Sequence, residues 1–231
     1  MNLILIPGLW LDASSWNDVI PDLERAGHRV HALTMPGVGA GAAESSDIGI
    51  ADWISAAVSA IDAVSGPVVV VGHSGGGNVA WGAVDARPER VARVIFVDTV
   101  PPPAGVGISE FEVVDGVIPF PGWDFFPDED VEDLDEPTRA RTVPLTGSVP
   151  ARVPTDPIVL GNRARFGVPA TLLMGSLDQE TLESELDNWG PYGEEFRAIE
   201  SVEVVRIDSG HWPQFSAPER LAELINAALT A

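Results

Sequence analysis

The sequence predicts an α/β fold in one domain spanning residues 1–231, with a mostly parallel, doubly wound sheet of about six strands. Three observations carry this. Short β-branched runs recur along the chain, amphipathic segments of helical period separate them, and runs such as Val68-Val69-Val70-Val71 are apolar on both faces. A sheet covered by helices on both sides buries both faces of its strands, which removes the in–out alternation of a half-exposed sheet. Alternating strands and helices then give parallel pairing, and right-handed crossovers put the loops that follow the strands on one edge, where ligands bind.

The elements follow in order. Leu3–Ile6 is the first strand, Ser14–Ala26 a helix, Arg29–Leu33 the second strand and Ile50–Val64 a helix. Val68–Val71 and Val91–Val97 are strands flanking a helix over Ser74–Ala86. Ala170–Met174 and Val202–Ile207 are the last strands, and Ala217–Leu229 closes the chain as a helix. Pro101–Phe166 breaks the pattern, with frequent Pro and Gly and the acidic run Asp128-Glu129-Asp130-Val131-Glu132-Asp133. Its aromatic residues Phe111, Phe120, Trp123, Phe125 and Phe126 are too many for a disordered linker, so it reads as a partly helical cap insertion. The acidic run itself reads as a solvated helix start rather than a metal site.

Composition narrows the partners. The chain is 45% hydrophobic and has no cysteine, so its core forms without disulfides or thiol-bound metal and needs no oxidising compartment; the expected location is cytoplasmic. The formal charge of -22 disfavours nucleic acid, anionic membrane and multiply charged anionic substrates, and favours a neutral or cationic small molecule. All 13 basic residues are arginine, which excludes lysine chemistry such as a Schiff base or a phosphate-loop lysine. The first eleven residues lack the leading positive charge of a signal peptide, and no apolar run approaches the roughly 20 residues of a membrane span. The chain is expected to act alone or as a homodimer on a small-molecule substrate.

The chemistry starts at Gly72-His73-Ser74-Gly75-Gly76, a G-x-S-x-G between a strand and a helix. A serine on such a sharp turn projects its hydroxyl from the sheet edge, and small neighbours let strand and helix approach. The helix start places the Gly75 N–H to bind an oxyanion. Serine needs a base. Among four histidines, His28 and His31 open an early strand and read as structural, and His73 beside the serine reads as packing or local hydrogen bonding. His211 follows the last strand, on the same edge as Ser74, and is the expected base. The acid that orients it should also follow a strand. Asp178, after the penultimate strand, gives the order Ser, Asp, His and is preferred; Asp98, ending the strand after the nucleophile helix, is the rival, and Asp208 reads as a loop cap. The loop after the first strand supplies the second oxyanion donor, the N–H of Leu9, with Trp10 as fallback. Trp10, Trp123, Phe126 and Trp212 are the expected substrate-contacting aromatics.

These motifs resemble the α/β-hydrolase superfamily, and within it the small-ester branch of bacterial esterases, plant salicylate-type methylesterases and plant hydroxynitrile lyases. The likeness covers nearly the whole chain. Pro7-Gly8 stands where that family usually has His-Gly, Met35-Pro36-Gly37-Val38-Gly39 matches its glycine turn, and Gly72 to Gly76 matches its nucleophile elbow. Asp178 matches the family acid, and Gly210-His211 with Pro218-Glu219 matches the terminal histidine and its helix. The resemblance implies a cofactor-free, metal-free serine hydrolase that cleaves a small, neutral, largely apolar carboxylic ester through an acyl-enzyme. The lyases use a lysine near the acid, which this chain lacks, and a dehalogenase would carry Asp where Ser74 stands. A lactonase, thioesterase or cyclase would share the triad, and a receptor-like binding protein on the same fold would hold its ligand instead of turning it over.

Overall fold

The computed structural model describes residues 1–230. In chain order its elements are β1 (Asn2–Ile6), α1 (Ile20–Arg25), β2 (Arg29–Ala32), α2 (Ala42–Ser45), α3 (Ile50–Ala63), β3 (Val68–His73), α4 (Gly75–Ala86) and β4 (Val91–Val97). There follow β5 (Val117–Ile118), α5 (Asp128–Val131), α6 (Glu136–Thr142), β6 (Val149–Pro150), β7 (Ala170–Met174), α7 (Gln179–Glu185), α8 (Pro191–Ala198), β8 (Val202–Arg206), α9 (Pro213–Ser216) and α10 (Pro218–Ala228).

Six strands form one sheet in the order β2-β1-β3-β4-β7-β8, and every neighbouring pair is parallel. The strand period of two splits the apolar residues between two cores. Ile4, Ile6, Val68, Val70, Val94, Phe96 and Leu172 point to the face covered by Trp53, Ala57 and Ile61 of α3 and Val79 to Val84 of α4. Leu3, Leu5, Val69, Val71, Ile95, Val97 and Leu173 meet Leu23 of α1 and Leu221 and Ile225 of α10 on the other face. From β1 the chain runs outward to β2, then returns past β1 to β3 and onward in the opposite direction. The loops after β1 and β3 therefore diverge, and a crevice opens between them at the carboxyl edge.

The segment 98–162, between β4 and the 3-10 turn Arg163–Gly167, covers that edge. Its regular structure is short: β5 and β6 pair antiparallel, and α5 and α6 follow a 3-10 turn at Trp123–Phe125. It has a small core of its own, in which Trp123, Val131 and Leu134 pack with Leu11, Trp212 and Phe215 of the sheet side. Gly147 N–H donates to Trp10 O at 2.7 Å, tying the cap to the loop after β1. Where the chain returns to the sheet, Arg165 is buried. Its guanidinium pairs with Glu195 at 2.9 Å and Asp85 at 3.2 Å, and Trp81 Nε1 donates to the same Glu195 at 2.8 Å. Among the described residues no helix is long and apolar enough to cross a membrane.

Candidate active site

Ser74 sits between β3 and α4 with φ 51° and ψ −126°, a conformation that costs an L-residue energy and persists only where the surroundings over-determine it. They do so sterically. A Cβ on Gly72 would lie 2.5 Å from Gly76 O, and one on Gly76 would collide with Pro7 O, so α4 can start this close to β1 and β3 only over glycine. Val97 O accepts from Ser74 N–H at 3.1 Å, and Ser74 O from Gly77 N–H at 2.8 Å, which pins both sides of the turn.

His211 lies on the loop between β8 and α9. Its Nε2 is 2.9 Å from Ser74 Oγ and its Nδ1 is 2.6 Å from Asp98 Oδ2. A carboxylate only accepts, so Nδ1 carries the proton and Nε2 is left to accept from the serine hydroxyl. Asp98 directly follows β4, the sheet neighbour of β3, with φ 46°, and its Oδ1 accepts from Gly175 N–H at 2.7 Å. Burial pushes the Asp98 carboxyl up. The hydrogen bond and charge of His211, the Gly175 N–H and the charge of His73 outweigh burial and hold it below the ordinary value.

The structure corrects the choice of acid. Asp178 does not reach His211: it is the exposed N-cap of α7, and its carboxylate accepts from Thr181 N–H at 2.9 Å. That helix start consumes the side chain locally, and those Thr181 bonds lower its pKa. The chain leaves β7 at Gly175, which is packed against Ser209 O and Asp98, and by Asp178 it has moved away to begin α7.

The loop carrying His211 is held from two sides. From the sheet, His73 is fully buried; its Nε2–H donates to His211 O at 2.7 Å, and its Nδ1 accepts from Gln214 at 3.3 Å. Burial first, and then the charge of His211, push the His73 imidazole down to about 3, so it is a neutral strut. This accords with the packing and hydrogen-bonding role expected of it. From the cap, Asp130 O accepts from His211 N–H at 2.9 Å and Asp133 Oδ2 from Gly210 N–H at 2.7 Å. The acidic run opens α5 with Asp128, Glu129, Glu132 and Asp133 exposed, as a solvated helix start should, and in addition Asp130 and Asp133 grip the loop of His211. Such a contact spans 77 residues for Asp133 and Gly210 and leaves no local signature in the sequence.

Beside Ser74 lies a cavity of about 350 Å³. Leu9, Trp10, Phe126 and Trp212 line it as expected, joined by Phe111, Phe125, Tyr192, Asn78 and Asp130, which sequence reasoning missed. Trp123 does not line it: it is 5% exposed, packs edge-on against Trp212 at 4.9 Å and donates from Nε1 to Arg139 O. An indole needs both a packing partner and an acceptor when buried, and the cap core supplies both. Gly8 and Leu9 abut the nucleophile turn; a Cβ on Gly8 would lie 3.2 Å from Ser74 Cβ, and one on Gly75 3.0 Å from Leu9 Cγ. Among the described residues no group of three or more His, Asp or Glu side chains is arranged to hold a metal ion.

Comparison with known proteins agrees with this geometry. Residues 3–224 match the alpha/beta hydrolase family. "Probable esterase PIR7A" of Oryza sativa subsp. indica is 32% identical over 151 residues, 63% of this chain and 56% of that protein. "Methylesterase 8" of Arabidopsis thaliana is 33% identical over 105 residues, 44% of this chain and 38% of that protein. The chain thus aligns with about half of the length of such relatives. Among solved structures, an extracellular alpha/beta-hydrolase from a Paenibacillus species superposes with a TM-score of 0.78 over 99% of this chain and 98% of its own, at 19% identity, a likeness of fold. With the six-stranded parallel sheet, the strained serine turn and the match over residues 3–224, the chain belongs to the alpha/beta hydrolase family.

Proposed function

We propose that this protein is a serine hydrolase that cleaves a small, neutral, largely apolar carboxylic ester by acyl transfer to water. One observation carries the reading: the hydrogen-bonded chain Ser74 Oγ, His211 Nε2, His211 Nδ1, Asp98 Oδ2, with spacings of 2.9 and 2.6 Å, opening into an aromatic-lined cavity. The esterase names of relatives of the chain support it.

In this reading Ser74 Oγ attacks the ester carbonyl while its proton passes to His211 Nε2, and Asp98 stabilises the imidazolium across Nδ1. The N–H groups of Leu9 and Gly75 are assigned to the oxyanion; Gly75 begins α4, so its N–H has no intrahelical acceptor. His211 returns the proton to the leaving alcohol. Water then enters, gives a proton to His211, and releases the acid and Ser74. The cavity lining includes no arginine and does include the Asp130 carboxylate, which disfavours substrates carrying a negative charge.

Intact-mass labelling with a fluorophosphonate tests the nucleophile without knowledge of the substrate. One adduct on the wild type, absent from Ser74→Ala and slowed in His211→Ala and Asp98→Asn, is the expected result. Labelling that persists in Ser74→Ala would overturn the assignment.

A further inference from the structure

A second cavity of about 290 Å³ is formed by the cap against Trp10, and its lining shares Trp10, Phe111 and Phe125 with the cavity at Ser74. Its other walls are Glu112, Val114, Ile118, Pro119 and Pro121, apolar apart from the one carboxylate. The two spaces are thus adjacent, divided by rings contributed to both. Trp10 and Phe111 meet edge-on with centroids 4.8 Å apart, and Phe111 and Phe125 lie 6.4 Å apart.

The rings of the divider differ in how firmly they are held. Phe125 is 58% exposed, and residues 99–113 around Phe111 form neither helix nor strand. Trp10, by contrast, is 5% exposed and holds the cap through its carbonyl. A ring on an irregular segment changes rotamer at little cost, whereas a buried indole does not.

We propose that the second cavity is a subsite for the apolar arm of an extended ester, reached from Ser74 between Phe111 and Phe125 along the face of Trp10. This rests on the esterase reading and sharpens its substrate class, from a small ester to one whose acyl or alcohol arm is an unbranched or flat apolar group several carbons long. Each methylene that leaves water for such a space contributes about 0.8 kcal/mol, which is about fourfold in rate constant. The gain stops when the second cavity is full. Glu112 sets the limit of apolar character at that end, so an arm ending in a carboxylate is rejected.

The experiment is a series of alkyl fluorophosphonates of increasing chain length, with the labelling rate constant of Ser74 as the readout. In each reaction the serine oxygen forms a bond to phosphorus, fluoride leaves, and the serine proton passes to His211. The expected result is a rate constant that rises by two- to fourfold per methylene, about the value for full burial, then levels off. Val114→Glu, at a position 43% exposed and so tolerant of charge, should flatten the series, and Glu112→Leu should extend it. Labelling by the shortest reagent with no gain on lengthening would overturn the subsite while leaving the esterase reading intact. No labelling by any member would count against the esterase reading. In that event the subsite is judged from binding of the matching alkyl alcohols, followed by tryptophan fluorescence, with the same chain-length trend required.

Discussion

The sheet and its cap are built on different terms. In the sheet, all six residues of β3 are buried, and each side chain of the proposed triad follows a strand: Ser74 after β3, Asp98 after β4, His211 after β8. In the cap, regular structure is limited to helices of four and seven residues and two-residue strands, and the turns and loops between them expose apolar groups such as Phe125 and Val114. The sheet fixes reacting atoms through steric closure at Gly72 and Gly76, while the cap shapes the space around them with side chains that can move. The separation is incomplete, because the cap also reaches back through Asp130 and Asp133 to hold the loop of His211. Changes in the sheet should therefore decide whether reaction occurs, and most changes in the cap should decide on what.

The comparison breaks most visibly at the acid. Asp98→Asn preserves shape but removes the charge that stabilises the imidazolium, and kcat on a neutral aryl ester is expected to fall about 10⁴-fold. Asp178→Ala should leave kcat within about twofold and lower the melting temperature slightly through the lost cap of α7. The reverse pattern in a steady-state assay would return the role to Asp178.

Next in size is Arg165, where the cap rejoins the sheet. Arg165→Ala would leave Glu195 and Asp85 without their cation in a site where the arginine and glutamate are less than a tenth exposed, and is expected to cost about 3–5 kcal/mol. Trp81 Nε1 ties Glu195 to the nucleophile helix, so the loss should appear as one cooperative shift in denaturant midpoint. A separate early transition confined to the cap would show that the two regions unfold independently.

His73 gives a pH test of the sheet side. With its folded pKa near 3 and an unfolded value near 6.5, the unfolded chain binds more protons between these limits. Stability therefore rises with pH in that window and is lost as pH falls through it, by at most about 1.4 kcal/mol per unit. His73→Asn keeps a donor for His211 O and removes the titration, so its melting temperature should decline less steeply on acidification. Parallel curves for the two proteins would mean that His73 is not a buried neutral imidazole.

What the sequence disclosed follows the same division. The six strands of the main sheet, and the helices α3, α4 and α10, lie within about two residues of the positions their periodicity predicts, because burial on a packed sheet enforces the pattern; the cap strands β5 and β6 were not predicted. The helix expected over Ser14–Ala26 is instead a 3-10 turn at Ala13–Trp16 and the short α1. Asp12 caps the first through Ser14 N–H, and Pro21, which has no N–H to give, sits in the first turn of the second. Helices α7 and α8 were not foreseen: α7 buries one side chain, Leu182, and α8 is a short helix that opens with Pro191 and carries Gly193. The acid was misjudged for a topological reason. Both Asp98 and Asp178 satisfy the order Ser, Asp, His and both follow a strand; the placement of β4 beside β3 and the use of Asp178 as the cap of α7 separate them. Asp130, Asp133 and Phe111 were invisible as site residues because a cap of short elements has no period from which a facing side can be read.

The smallest effect is the most informative about the cap. Asp133→Ala removes the acceptor of Gly210 N–H but no group that touches substrate, and Gly210 is packed so closely on Asp130 O and Asp133 that nothing larger fits there. If this contact only stabilises the cap, the variant should lose active protein while each surviving site turns over at the normal rate. If it positions the base, kcat per titrated Ser74 should fall about tenfold, since displacement of a catalytic group by a fraction of an ångström carries a cost of that order. We expect the second result, with KM changed far less than kcat. Asp133→Asn should restore the rate, because its amide oxygen accepts the same N–H. Unchanged turnover per site in Asp133→Ala would restore the simpler division, in which the sheet alone holds the chemistry.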